Sequence, residues 1–196
     1  MVKLSGIPFE EVLVAPDDSA ARAELLLLSP SILVPRLDHG TCKIWDTLAI
    51  AEYLNEIAPN AGLLPSKLEH RAHCRSVCGE MHSGFSALRA ALPMNIKGRV
   101  ERFKVWSKAQ SDIDRILFIW HDCLKKYKGP YLFGKQATVA DAMFAPVVTR
   151  LVTYNIKLDP LSQKYSNQIL AMPFLVAWTQ AAVLEPDDIE ELEVEF

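Results

Sequence analysis

The spacing of apolar residues changes near residue 58, and that change limits the fold more than any other feature of the chain. Before it the apolar residues fall in short pieces. FEEVLV (9–14) alternates roughly with period two, and LVPRLDH and TCKIW flank the His39-Gly40 turn as a hairpin. Between them Asp18 to Leu28 reads as a helix that Ser29-Pro30 ends. The segment APNAGLLPS (58–66), with two prolines and a glycine, has the composition of a linker. After it the spacing is helical almost throughout. The expected class is α+β: a small mixed domain over 1–57, a linker over 58–66 and an all-helical domain over 67–196.

The helical part can be read in some detail. Val77, Met81, Phe85, Leu88 and Leu92 form one apolar stripe, and Ile113, Ile116, Trp120, Leu124 and Tyr127 form another. Two long helices that pack face to face are expected from them. A third helix starts at Thr138, where FGKQATVAD offers Thr138 as N-cap and Asp141 three residues on, a variant of the capping box worth about 1 kcal/mol. Pro146 falls inside that helix and is expected to kink it. Two shorter helices, around Gln163 to Leu170 and Pro173 to Val183, complete the domain.

Composition narrows the function classes. The chain has 196 residues, half of them hydrophobic, and a formal net charge of −3. No apolar run approaches the roughly 18 residues that span a bilayer, and MVKLSGIPFEE carries too short an apolar core for a signal peptide. A cytoplasmic protein without a membrane partner is expected. The last twelve residues, EPDDIEELEVEF, hold seven acidic side chains and no basic one, so the rest of the chain carries a net +4. The basic runs KGRVERFK (97–104) and KKYK (125–128) lack the interleaved aromatics of a nucleic-acid surface, and no nucleic-acid partner is expected. Four cysteines, Cys42, Cys74, Cys78 and Cys123, suit a reducing compartment as small buried thiols without disulfides. His70, Cys74, Cys78 and His82 recur every four residues beside His73. One straight helix cannot wrap four ligands around an ion, so a metal site there needs a second chain, and no metal is expected.

Taken in order, three motifs carry a resemblance: Val34-Pro35 before a strand, Asp46-Thr47 at a helix start, and Gly134 with Thr138 and Asp141 in a G-x-x-x-[ST]-x-x-D setting. With EMHSGFSALRAALPMN (80–95), which is similar to a bacterial subgroup, the chain from about Leu4 to Trp178 resembles the glutathione S-transferase family. The resemblance implies a thioredoxin-like N-terminal domain with a cis Val34-Pro35 peptide, and a helical C-terminal domain. It also implies glutathione as substrate, a small electrophile as co-substrate, and a homodimer.

By that resemblance Val34 and Pro35 present backbone to the cysteinyl part of glutathione, and Asp46 and Thr47 hold its γ-glutamyl end. An extended peptide can add to a strand edge, and free amides at a helix start favour a carboxylate. The same residues also suit a purely structural reading, in which Pro35 shapes the strand and Thr47 caps the helix. Met81, Phe85 and Arg89 are candidates for a co-substrate pocket, with core packing or a salt bridge as the alternatives. Thr138 and Asp141 are read as a structural cap.

Two departures from the family pattern bear on activity. The opening MVKLSGIPFEEV matches only the end of the family's first helix, so this sequence offers no counterpart to about 20 residues, one strand and most of a helix. The Ser, Tyr or Cys that normally activates the thiol belongs to that stretch, and the catalytic residue is therefore unknown. Leu33 stands where a cation often meets a ligand carboxylate, and Ile32 replaces a glycine, so weak binding is expected. The expected function is glutathione conjugation to small electrophiles, weak or absent in this form. A non-catalytic binding or scaffold protein of the same fold is the alternative.

Overall fold

The computed structural model describes residues 1–13 and 34–185. The chain divides into two compact units, Met1–Leu63 and Leu64–Phe196. The boundary falls within 58–66, but that segment is more ordered than a linker. It contains a 3₁₀ turn, Pro59–Ala61, and the buried leucines Leu63 and Leu64.

In the first unit a single-turn helix α1, Val2–Ser5, ends at Gly6, whose φ of 72° is the left-handed conformation that glycine adopts without steric cost. The strand expected over 9–14 does not form in its described part. Residues 7–13 carry no regular structure, and Phe9, Val12 and Leu13 are exposed rather than alternating in and out. Two adjacent glutamates leave this piece too little apolar surface to dock as a strand. The expected helix from Asp18 to Leu28, and with it Ile32 and Leu33, lies outside the described residues.

The hairpin does form. Strand β1, Arg36–His39, pairs antiparallel with β2, Cys42–Trp45, in the register Arg36↔Trp45 to His39↔Cys42. His39 and Cys42 close the ladder, so the turn is Gly40-Thr41 rather than His39-Gly40. Gly40 takes a φ of 58°, which such a two-residue connection requires at its first position. Helix α2, Thr47–Ile57, buries Ile50, Ala51 and Leu54. Tyr53 on α2 shares a 2.7 Å hydrogen bond with His39 Nδ1, which ties helix to hairpin.

The second unit holds α3 (Leu68–Ser83), α4 (Ser86–Ala91), α5 (Ser107–Tyr127), α6 (Val139–Thr153), α7 (Pro160–Leu170) and α8 (Pro173–Leu184). Helix α3 packs on α6, α4 on α5, and α6 on α7. The expected stripe is buried in full, but it spans two helices. Val77 and Met81 lie on α3, Phe85 follows the break, and Leu88 and Leu92 lie on and just after α4.

One backbone conformation and two hydrogen bonds accompany the break at Gly84. Phe85 adopts a left-handed φ of 61°, the amide of Leu88 donates to Asp112 Oδ2 of α5 at 2.9 Å, and Arg89 closes the end of α3 by donating to Met81 O at 2.7 Å. Asp112 comes from another helix, and Phe85 keeps the apolar period, so periodicity alone reads straight through. The apolar side chains of this stripe are therefore spent inside the unit.

Helix α5 buries Ile113, Ile116, Trp120 and Leu124, as its stripe predicts. It is joined to α3 by Arg115, which grips Glu80 through Nε at 2.6 Å and Nη2 at 2.8 Å. Helix α6 runs through Pro146 without interruption. It also carries the irregular stretch after α4: Arg150 Nε donates to Leu92 O at 2.9 Å, Thr153 Oγ1 donates to Asn95 O at 2.6 Å, and the Val100 amide donates to Thr153 O at 2.8 Å. Helix α7 begins at Pro160, three residues before the expected start. Asp159 Oδ1 caps it by accepting from the Leu161 and Ser162 amides. No single helix among the described residues is long and apolar enough to cross a membrane.

Candidate functional site

The candidate site is built by the hairpin register. Because Arg36 pairs with Trp45, the residues just before β1 and just after β2 emerge at the same end of the ladder, where opposed Cα atoms lie about 4.5–5.5 Å apart. Before β1 stands the cis peptide Val34-Pro35, with Val34 64% exposed. After β2 stands Asp46, and α2 starts at Thr47. The exposed residue Val34 and a helix N-terminus are thus brought to one edge of the first unit.

The helix start differs in detail from the sequence reading. Asp46, not Thr47, is the N-cap, with a φ of 77°. Its Oδ1 accepts from the Leu48 amide at 2.8 Å and from the Ala49 amide at 3.2 Å. Thr47 is the first helical residue, half-buried. The site therefore combines the Asp46 carboxylate with the neighbouring Thr47 hydroxyl, the pair named from the sequence, with the capping role moved from Thr47 to Asp46. A positive φ is tolerated better by Asp than by most residues, which was the available signal.

One nearby cation went unnoticed in the sequence. Arg36, the first residue of β1, clamps Asp38 through Nε and Nη2 at 2.8 and 2.9 Å, while its Nη1 is buried with no hydrogen-bond partner among the described residues.

Met81 and Phe85 are buried, and Arg89 is exposed with its guanidinium on the carbonyls of Met81 and Gly84. The geometry gives all three a packing or capping job. Thr138 and Asp141 form the expected capping box. Asp141 Oδ2 accepts from the Thr138 amide at 2.8 Å and from its hydroxyl at 3.0 Å. Its Oδ1 accepts from the Leu132 amide at 3.0 Å and from Tyr165 at 3.1 Å. Burial raises the Asp141 carboxyl above its ordinary range, and these four donors act against that shift.

The family model described as "Glutathione S-transferase, N-terminal domain" matches residues 1–57. A probable maleylacetoacetate isomerase of Caenorhabditis elegans is 27% identical over 157 residues, 80% of this chain and 73% of that protein. Among solved structures, a glutathione transferase homologue from Burkholderia with bound glutathione superposes with a TM-score of 0.68 at 26% identity, over 92% of this chain and 86% of that one. The holo structure of a maleyl pyruvate isomerase, a bacterial zeta-class glutathione S-transferase, gives a TM-score of 0.70 at 22% identity over 96% and 92%, a likeness of fold. With the family's N-terminal model over the hairpin unit, and nearly the whole chain following a glutathione-bound homologue, this thioredoxin-like domain and helical domain make the chain a member of the glutathione S-transferase family.

Proposed function

We propose that the protein binds glutathione on its first unit and directs the thiol at small electrophiles. The observation that carries this reading is the Arg36↔Trp45 register, which gathers the Val34-Pro35 backbone and the start of α2 at one end of the hairpin. In this reading Val34 pairs with the cysteinyl backbone as an added strand would. The Thr47 hydroxyl and the helix dipole take the γ-glutamyl carboxylate, and Asp46 takes the ammonium beside it. Pro35 keeps the Val34 backbone turned outward. Arg89 stays in the proposal as a contact for the co-substrate, with Met81 and Phe85 as the packing behind it.

Two reactions fit a thiolate held this way. In conjugation the sulfur forms a bond to an electrophilic carbon and a leaving group departs with the electron pair, so glutathione is consumed. In isomerisation the sulfur adds to a cis double bond conjugated to a carbonyl, the resulting single bond rotates, and the thiolate leaves again, so glutathione is returned. The relatives named as maleylacetoacetate isomerases, from Caenorhabditis elegans and at 29% identity from Rattus norvegicus, favour the second. A homodimer belongs to the proposal, resting on exposed apolar residues of the second unit such as Leu68 and Phe118 rather than on the buried 81–92 stripe.

Calorimetry with glutathione tests the site. Weak binding, with a Kd of about a millimolar, that falls further in Thr47→Ala supports it, and an affinity indifferent to Thr47→Ala sinks it. Assaying an aryl halide and maleylacetoacetate while tracking free thiol separates the two reactions. Binding without turnover of either marks the non-catalytic form of the fold.

A further inference from the structure

We propose that α3 and α5 form a binding site for a thiophilic divalent cation such as zinc, with His73, Asp122 and Cys123 as protein ligands. One ligand atom from each of these side chains lies within 4.8 Å of the other two. An ion at the centre of a triangle with that edge sits about 2.8 Å from each corner, against about 2.0–2.3 Å for zinc bonds to N, O and S. Each atom has to close by about half an ångström. His73 Nε2 and Asp122 Oδ2 are already closer, at 3.9 Å, a separation too long for a hydrogen bond and short enough for a shared ion.

Elements distant in sequence bring the set together. A ladder of His and Cys along α3 alone cannot surround an ion, but α5 of the same chain supplies the second wall that a metal site needs. His73 is held for the task. Its Nδ1 shares a 2.8 Å hydrogen bond with Tyr127, and its ring stands edge-on to Phe133 at 5.5 Å, so Nε2 faces Asp122. Fixing the remote imidazole nitrogen is how proteins commonly orient a metal-bound histidine.

The donor set selects the class of metal. One thiolate, one imidazole and one carboxylate suit zinc or its cobalt substitute and discriminate against magnesium and calcium, which prefer oxygen. Cys123 is buried while the Asp122 side chain is 50% exposed, so an ion can enter from solvent, with a fourth position left to water. As the sulfur–metal bond forms, the Cys123 thiol gives its proton to solvent.

The test is a cobalt titration of the full chain, read by the thiolate-to-cobalt charge-transfer band in the near ultraviolet, with zinc competition to obtain the zinc affinity. One equivalent of cobalt is expected to give the band and to be displaced by zinc. His73→Ala is expected to weaken binding at least tenfold, and Asp122→Asn several-fold. His82→Ala, farther along the same helix, and Cys42→Ser, which removes the exposed thiol, are expected to leave the band unchanged. His73 and Asp122 are partly exposed, so their variants fold, and melting curves check it. Absence of the band, its loss in Cys42→Ser or His82→Ala, or full retention in folded His73→Ala overturns the proposal.

Discussion

Tyr165 donates its hydroxyl hydrogen to Asp141 Oδ1 at 3.1 Å, which ties the first turn of α6 to the middle of α7. Both side chains are buried, so the bond lies in the core and water cannot replace it. Four donors converge on this one carboxylate, and they make unequal demands on substitution. Thr138→Ala removes one capping partner and is expected to cost about 1 kcal/mol, which lowers Tm by about 2–4 °C in a chain of this size. Asp141→Ala leaves the Leu132 and Thr138 amides and the Tyr165 hydroxyl without an acceptor and is expected to cost about 3 kcal/mol or more. Urea denaturation of the two variants measures the ratio. Similar losses for both would mean that Asp141 acts only as a cap.

Asp159 gives the acid limb of stability a specific contributor. Burial raises its carboxyl, but donation from the Ser162 hydroxyl and amide, from His121 and from the Leu161 amide outweighs it and brings the value down to about 2. A carboxylate depressed on folding stabilises the protein above its unfolded pKa, about 3.9, and that stability is lost as pH falls toward 2. Asp159→Asn keeps the cap and removes the titration. Urea midpoints measured from pH 5 to 2 are expected to fall less steeply in Asp159→Asn than in the wild type. Parallel curves would remove the assignment.

Two glycines are expected to respond to alanine with opposite signs. Gly79 sits inside α3 with open space where an added methyl would stand, beyond its own helix, so Gly79→Ala is expected to stabilise by about 0.5–1 kcal/mol. A methyl on Gly129 runs into the carbonyl of Gly134, whose backbone is already paired with Tyr131. Gly129→Ala is expected to destabilise by about 3 kcal/mol or to prevent folding. Thermal melts of the pair decide it, and a neutral Gly129→Ala would show that this turn shifts freely.

Asp46→Asn separates ligand from fold at the proposed glutathione site. Asn caps a helix as well as Asp does and tolerates a positive φ, so stability is expected to hold. Loss of the charge facing the γ-glutamyl ammonium is expected to weaken glutathione binding about fivefold to tenfold. Calorimetry and a melting curve on the same sample give both halves, and unchanged affinity would place the ammonium elsewhere.

Much of the second unit could be read directly because its signals are local. The α5 stripe and the Thr138-Asp141 box each lie within one helix, where side chains three and four apart share a face. The break at Gly84 escaped because Asp112 reaches Leu88 from another helix, and Phe85 continues the apolar period while leaving the helical conformation. In the first unit the hairpin was legible from its turn residue, but the turn was placed one residue early, and the choice between Asp46 and Thr47 as cap rested on backbone conformation. His73, Asp122 and Cys123 could not be joined from sequence, since neither helix alone shows more than a fragment of the set.

The anchoring of residues 92–100 to α6 has a consequence for local opening. That stretch has almost no regular structure, yet Leu92, Asn95 and Val100 each share a hydrogen bond with Arg150 or Thr153. The Val100 amide, which donates to Thr153 O, therefore exchanges with solvent only when the C-terminal turns of α6 come undone. A segment that looks like loop belongs to the cooperative unit of a core helix, and Val100 will report on the unravelling of α6 rather than on motion of its own.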